Sequence, residues 1–436
     1  KLCTGDYDAV IIGHTQFEKI PMAPEFKKSA IEKQIDEISH AISVLREQDG
    51  KRYSVKQMEA QRAKLQKTLE HQDRKKKDDV ITFEQTGVDY LVIDESHYYK
   101  NCYVNTKMSD VAGIATSNAQ KSFDMLLKTQ YLRQAGGKMI FATGTPLSRS
   151  MTELFVIQRY LQPEELEAAG LTYFDDWASA FGETETVMEL KPEGTGYRMR
   201  TRFSKFYNLP ELMGMFRQIA DIKVAEDLNL PRPELADGKP QVIVCKPTEY
   251  VRQYIDHLAE RAEKVRDGMV EPYEDNMLKI TTEGKAVAID PRIIDPDAPV
   301  DRQYKIYRCC EKVLEYYRRF EEQKALQVVF LDFGISLYDI MKQELVLQGI
   351  PENEIAFIHD AKSDGQKAEL FSKCRSGKIR VLFGSTPKMG AGTNIQDRLI
   401  ALHHLDCPWN PEQIEQRLGR MQRQGNRFDV VYDFRY

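Results

Sequence analysis

Short apolar runs alternate along this chain with longer helical stretches, the pattern of parallel strands joined by crossover helices. The strand segments are 7–13, 90–93, 138–142, 327–331, 355–358, 379–383 and 399–405. Runs such as Leu91-Val92-Ile93 lack polar alternation, as expected of strands covered on both faces. The segments fall into two sets, before about residue 162 and after about residue 240. An α/β protein with two lobes is the economical solution for 436 residues.

Residues 25–79 interrupt the first set. Ile31, Ile35, Ile38, Ile42 and Leu45 recur at spacings of four and three, an a/d seam. After Asp49-Gly50, the stretch Ser54-Val55-Lys56-Gln57 has a capping-box pattern, and Val55, Met58, Leu65 and Leu69 share one face. An antiparallel helical hairpin follows. The basic run at 74–77 is read either as a nucleic-acid contact or as a solvated face. Residues 163–240, with Pro210, Pro231, Pro233 and a basic stretch at 198–205, read as an inter-lobe region.

The charges nearly cancel, 62 Lys+Arg against 67 Asp+Glu, so any contact with a polyanion must come from a local patch. The longest apolar run, near 327–335, already contains Asp332, and nothing approaches the roughly 18 residues of a membrane span. Seven cysteines without a C-x-x-C pair fit neither a disulfide framework nor a zinc site. Free thiols in a reducing cytoplasm are the expectation.

Ligands collect at the carboxyl ends of parallel strands, so the residues that follow each strand carry the information. After 91–93 come Asp94-Glu95-Ser96-His97. Two adjacent carboxylates there suit a division of labour, Asp94 on a hydrated Mg²⁺ and Glu95 on an attacking water; a merely polar strand end reads as well. After 139–142 come Thr143-Gly144-Thr145-Pro146-Leu147, hydroxyls and a glycine suited to sensing a phosphate or metal, or to an ordinary turn. Ser150-Met151-Thr152-Glu153 reads as a helix cap. In the second set, 379–383 leads into Ser385–Asn394, where Gly390 and Gly392 allow backbone N–H groups close to a phosphate; plain turn chemistry explains them too. Asn410 and Pro411 start a helix that Gly425 stops. Ile414, Leu418 and Met421 form its buried stripe. Gln416, Arg420 and Arg423 form another, aimed at a phosphate or left solvated.

In order, these pieces resemble the motifs of superfamily-two helicase-like ATPases, and most closely the Swi/Snf family of double-stranded-DNA motors. Residues 7–20 resemble motif Ib, and Asp94-Glu95-Ser96-His97 with Lys100-Asn101 resembles motif II, a DEAH-like box. Thr143–Leu147 with Glu153-Leu154-Phe155 is similar to motif III, Val328-Val329-Phe330 to motif IV, 385–395 to motif V, and Gln416–Gly425 after Trp409-Asn410-Pro411 to motif VI. The resemblance implies two RecA-like parallel-sheet lobes, the first incomplete, around ATP and Mg²⁺. Lobe one would be 1–162 with the hairpin 25–79 inserted, 163–240 the inter-lobe region, and 241–436 lobe two. Asp94 and Glu95 would hold the metal and activate water. Arg420 and Arg423 would be fingers on the γ-phosphate, and Gly390, Gly392 and Gln416 would lie at the nucleotide. His97, Thr143, Gly144 and Thr145 would couple nucleotide to lobe closure, and Thr386, Lys388 and Asn394 would lie near the backbone of double-stranded DNA, or near the nucleotide. A G-x-x-x-x-G-K-[ST] loop is absent; Gly136-Gly137-Lys138-Met139 precedes a strand and lacks the hydroxyl. The chain is therefore expected to start after its own P-loop and to be inactive as a fragment. Its parent would be an ATP-driven motor with further domains, resembling bacterial, phage or mobile-element methylase fusions. The alternative from another class is a non-catalytic scaffold of the same fold that binds DNA or a partner.

Overall fold

A computed structural model describes residues 5, 7–47, 52–74, 81–106, 108, 111–112, 114, 119–147, 150–190, 197–228, 230–389 and 394–436. The chain divides into two compact units, Lys1–Leu190 with Tyr197–Ile222, and Lys223–Tyr436. Residues 163–190 and 197–222 thus pack with the first unit, and 223–240 with the second.

In the first unit, strands β1 (Tyr90–Ile93) and β2 (Lys138–Phe141) pair in parallel, joined through the helix Gln120–Gln134. One face is sealed: Ile93 is buried in a core with Phe17, Phe83, Met125, Phe155 and Trp177. The other is open, with Tyr90, Val92 and Ile140 about half exposed. The expectation of two covered faces fails for this pair. The segment 7–13 is not a strand either. Its apolar side chains are exposed and no strand pairs with it among the described residues. A single helical turn, His14–Phe17, follows and drives Phe17 into the core. There the buried Lys128 ammonium donates to the Phe17 carbonyl at 3.1 Å and pairs with Asp124 at 2.6 Å.

Of the a/d seam, Ile31, Ile38 and Ile42 are buried and Ile35 partly so, while the Leu45 side chain lies outside what the structure describes. Helices Pro24–Glu47 and Arg52–Arg74 pack together, burying Ile38, Ile42 and Met58 against Tyr103. The second helix starts at Arg52, ahead of the Ser54 box. Residues 48–51 and 75–80, including Asp49-Gly50 and most of the basic run, lie outside the described residues. Ile38 is fully buried, so Ile38→Ala is expected to cost about 2–5 kcal/mol. A urea titration that shifts by less than 1 kcal/mol, roughly the cost of an Ile→Val trim, would show the seam is not packed.

Two further strands, β3 (Gly182–Leu190) and β4 (Tyr197–Phe206), make an antiparallel ribbon. Its root is fixed by Phe203, buried against Phe174, and by a bridge to Ala112. Gly182 is demanded there, because a Cβ would stand 1.7 Å from the Phe203 ring.

The second unit holds a seven-stranded, all-parallel sheet: β5 (Glu234–Leu235), β6 (Gln241–Val242), β7 (Leu326–Phe330), β8 (Ile355–Phe357), β9 (Val381–Gly384), β10 (Leu399–His404) and β11 (Val430–Arg435). The order is β5-β11-β10-β7-β9-β8, with β6 also on β11. Every residue of β7, β9 and β10 is buried. Val329, Val381 and Phe383 face the helices Lys305–Arg319 and Leu337–Leu347. Val328, Phe330 and Leu382 face Asp364–Arg375 and Pro411–Met421. Here the continuous apolar runs do mark strands covered on both faces. Among the described residues no helix is long and apolar enough to cross a membrane.

Candidate functional site

At the carboxyl end of β1 the chain turns sharply, and Glu95 takes a left-handed backbone (φ 50°) that a side chain disfavours. Its amide donates to Asp94 Oδ1 at 3.0 Å, and the next amide, of Ser96, donates to the Ala142 carbonyl at the end of β2 at 2.9 Å. The turn thereby presents both carboxylates at one edge of the strand pair. Asp94 is exposed and forms no ion pair among the described residues. Hard oxygen donors of this kind suit Mg²⁺, which takes one or two carboxylates and keeps several waters. The residues present fit that ion.

His97 ties the acidic turn to the Thr143 turn. Its Nδ1 lies 3.2 Å from Glu95 Oε2 and 3.3 Å from Thr143 Oγ1, while the ring stacks on Tyr98. Thr143 Oγ1 also accepts from the Thr145 amide at 3.1 Å. Four of the expected residues, Glu95, His97, Thr143 and Thr145, are therefore one connected group. Gly144 has open space where a Cβ would stand, so packing does not require a glycine there. The 150–153 segment caps differently from the expectation. Ser150 Oγ accepts from the Thr152 amide, and Glu153 turns inward, its carboxylate 3.6 Å from the buried ammonium of Lys100. An ion pair thus links the residues just after the acidic turn to the helix Thr152–Leu161.

In the second unit the carboxyl ends of β7, β9 and β10 converge on a side chain the sequence reading passed over. Arg417 is 1% exposed, with its guanidinium 4.7 Å above the Phe330 ring. Nη2 donates to Asp332 Oδ2 at 3.1 Å and to Asp406 Oδ1 at 3.0 Å, and Nε donates to Thr386 Oγ1 at 2.8 Å. Nη1 lies 3.2 Å from His404 Nδ1. A guanidinium has no acceptor, so that imidazole nitrogen must accept and the ring proton sits on Nε2, 2.7 Å from Asp433 Oδ1. Asp332 in turn accepts from the Thr386 amide at 2.6 Å and from its hydroxyl. Thr386, expected at DNA, spends its hydroxyl inside this network.

Arg417 corrects the reading of its helix. Pro411–Met421 buries Arg417 and Met421 fully, whereas Ile414 and Leu418 are only partly covered. The helix ends at Met421 rather than running to Gly425, which takes φ 88° in the turn. Arg420 lies on its last turn, and Gln416 donates to Glu412 at 3.1 Å. Arg423 lies beyond the helix, exposed, so it does not share the helical stripe. Lys388 and Asn394 are exposed, the Asn394 carbonyl accepting from Arg375 at 2.7 Å. His359 Nε2 lies 3.4 Å from Ser385 Oγ, and burial, then the Lys388 charge, lower its pKa. Gly390 and Gly392 lie outside the described residues. A signal for the network existed: Asp332 interrupts the most apolar run, and a charge there needs a buried partner.

Comparison with known proteins gives matches across the chain. The family described as a probable helicase domain matches residues 1–224, and the helicase conserved C-terminal domain matches residues 308–425. The chain is 26% identical over 324 residues to the defense against restriction protein B of Escherichia phage P1, covering 72% of this chain and 14% of that protein. It is 22% identical over 360 residues to the uncharacterized ATP-dependent helicase YqhH of Bacillus subtilis strain 168, covering 78% of this chain and 54% of that one. The chain thus spans between a seventh and about half of the relatives it matches. A solved structure, the C-terminal part of the Fun30 ATPase domain, aligns with 48% of this chain and 86% of its own at 13% identity and a TM-score of 0.35.

Proposed function

Since the chain belongs to the probable helicase domain family, we propose that it is the motor region of an ATP-dependent translocase acting on double-stranded DNA, of the Swi/Snf kind. The observation that carries the reading is the acidic turn: Asp94 and Glu95 at the end of a parallel strand, with Glu95 in a strained backbone and linked through His97 to Thr143. Strain held at a strand end by its neighbours is characteristic of sites that must present a group in one orientation.

Asp94 would hold Mg²⁺, which would neutralise charge on the nucleotide phosphates. Glu95 would orient the attacking water and take its proton, with His97 fixing the carboxylate. Thr143 and Thr145, on the same hydrogen-bonded turn, would register the state of the nucleotide. Arg420 and Arg423 would stabilise negative charge on the transferred phosphoryl group. Lys388 and Asn394, both exposed, would contact the DNA backbone. No phosphate-cradling G-x-x-x-x-G-K-[ST] loop occurs in these 436 residues, so this segment alone would hydrolyse ATP negligibly. A longer polypeptide that supplies such a loop would turn over.

The test compares ATP turnover by the 436-residue chain and by the longer polypeptide, with duplex DNA, single strands and RNA. Stimulation of the longer form by duplex DNA, and a flat baseline for the segment, is expected. Turnover equal with and without nucleic acid would leave the fold without the motor role. Stimulation by RNA alone would move the activity to a different substrate.

A further inference from the structure

The ribbon β3–β4 sorts its side chains by face. Glu189 opposes Arg198, Val187 opposes Arg200 and Glu185 opposes Arg202, so these alternate positions share one face. Tyr197, Met199 and Phe203 lie on the other, which at the root packs into the core and further out leaves Tyr197 and Met199 about two-thirds exposed.

On the charged face, one carboxylate serves three guanidiniums. Glu189 pairs with Arg198 at 2.7 Å, with Arg200 at 3.5 Å, and with Arg202. The arginines stay 40–47% exposed while Glu189 is 15% exposed. Nearer the root, Lys205 is matched by Glu185 at 3.1 Å, with Glu183 on the same face. The charged face carries four cations, Arg198, Arg200, Arg202 and Lys205, against the carboxylates of Glu183, Glu185 and Glu189, a surplus of one, and its three arginines stand in a row at about 6.7 Å per pair of residues. Hydrogen bonds from Arg202, and then from Arg198, hold the Glu189 carboxyl down to about 2. It stays ionised and occupies the position an oxyanion would take.

Resting on the reading of this chain as a DNA motor, we propose that the arginine face of this ribbon is an arm that grips the phosphate backbone of duplex DNA, with Glu189 as the intramolecular anion that the phosphates displace. Duplex is favoured over a single strand on two grounds. A row that binds by charge alone does best on the higher charge density of two strands. Single-strand sites add aromatic platforms for unpaired bases, and the arginine face has none. Phe203, buried in the core and closely packed against Gly182, anchors the root of the ribbon.

The experiment uses the full chain, with a fluorescein-labelled duplex and one of its single strands, titrated across a salt series. The triple variant Arg198→Gln, Arg200→Gln, Arg202→Gln is expected to weaken duplex binding at least tenfold and to flatten the salt slope by about 0.9 per lost phosphate contact. Glu189→Gln is expected to do the opposite and tighten binding several-fold. An ion cluster that merely holds the ribbon together would make both variants weaker, or leave both unchanged, and either result overturns the proposal. So does tighter binding to the single strand. Should the unmodified chain ignore duplex DNA altogether, the motor reading falls and the arm with it. If the unmodified chain binds and the two variants match it, only the arm is lost. A thermal melt followed by circular dichroism controls for folding, and Glu189→Gln keeps the test open if the triple variant melts.

Discussion

Arg423→Ala, made in the longer polypeptide, is expected to fold like the unmodified protein yet turn over ATP about 10³–10⁵ times more slowly, the range seen when an arginine finger is removed from related NTPases. The folding half of that expectation rests on position. Arg423 is exposed, lies past the end of the helix at Met421, and makes no side-chain hydrogen bond or ion pair among the described residues. Surface substitutions of that kind usually change stability by no more than about 0.5 kcal/mol. The catalytic half rests on what an unpaired guanidinium in a short turn can do. It can stabilise charge that develops only in the transition state, so its loss falls on kcat rather than on nucleotide affinity. Arg423→Lys would keep the charge and lose the planar fork, and it should recover only part of the rate. Single-turnover kinetics with labelled ATP separates the steps. A variant that binds ATP as before but loses less than tenfold in the chemical step removes Arg423 from the site and leaves Arg420 as the remaining candidate.

The same helix shows how far the sequence could be read. The strands β7, β9 and β10 were legible because a continuous apolar run with both faces covered has few other solutions in a chain of this length. The seam of the helical hairpin was legible for the same reason, since a period of three and four over several turns leaves little choice. What misled was local chemistry that tertiary structure overrode. The run at 7–13 has strand composition, but a strand needs a neighbour to pair with, and none of the described residues supplies one. Asn410 and Pro411 were rightly placed at a helix start, though the Asn410 side chain makes no capping bond. The helix is shorter than its sequence suggests, because Gly425 is a good stop and nothing in 422–424 marks the end at Met421. Above all, hydrophobic periodicity assigns the inward face to Ile414, Leu418 and Met421 and gives no hint that the most buried polar group of that helix is an arginine. Burial of Arg417 depends on carboxylates 85 and 11 residues away in sequence, and no local pattern contains them. The acidic turn is the mirror case. Its residues could be named from sequence, but the left-handed backbone at Glu95 and the shared contacts of His97 could not.

Arg417→Ala should do what Arg423→Ala does not and destabilise the folded chain by about 3–5 kcal/mol, the cost of leaving a buried charge without its partner. Asp406 is nearly as buried as Arg417, and both Asp332 and Asp406 point a carboxylate oxygen at the same nitrogen. Without the guanidinium those oxygens face each other, Thr386 loses its donor, and His404 loses the group that fixes its tautomer. Water reaches Asp332, which is 20% exposed, but not readily Asp406 or His404, which are 3% and 2% exposed at the ends of fully buried strands. Arg417→Met keeps much of the volume and should fail almost as badly, which separates the electrostatic cost from a cavity. The diagnostic variant is the double change of Arg417→Met with Asp406→Asn. Removing a carboxylate together with its partner should return part of the stability, with a coupling of about 0.5–3 kcal/mol in a double-mutant cycle. Urea unfolding of the 436-residue chain, followed by tryptophan fluorescence and circular dichroism, gives each value. If Arg417→Ala shifts stability by less than about 1 kcal/mol, or if the double variant is no better than the sum of its parts, the network does not hold the ends of β7, β9 and β10 together. Thr386 would then be free for the DNA contact that the resemblance to helicase-like ATPases implies.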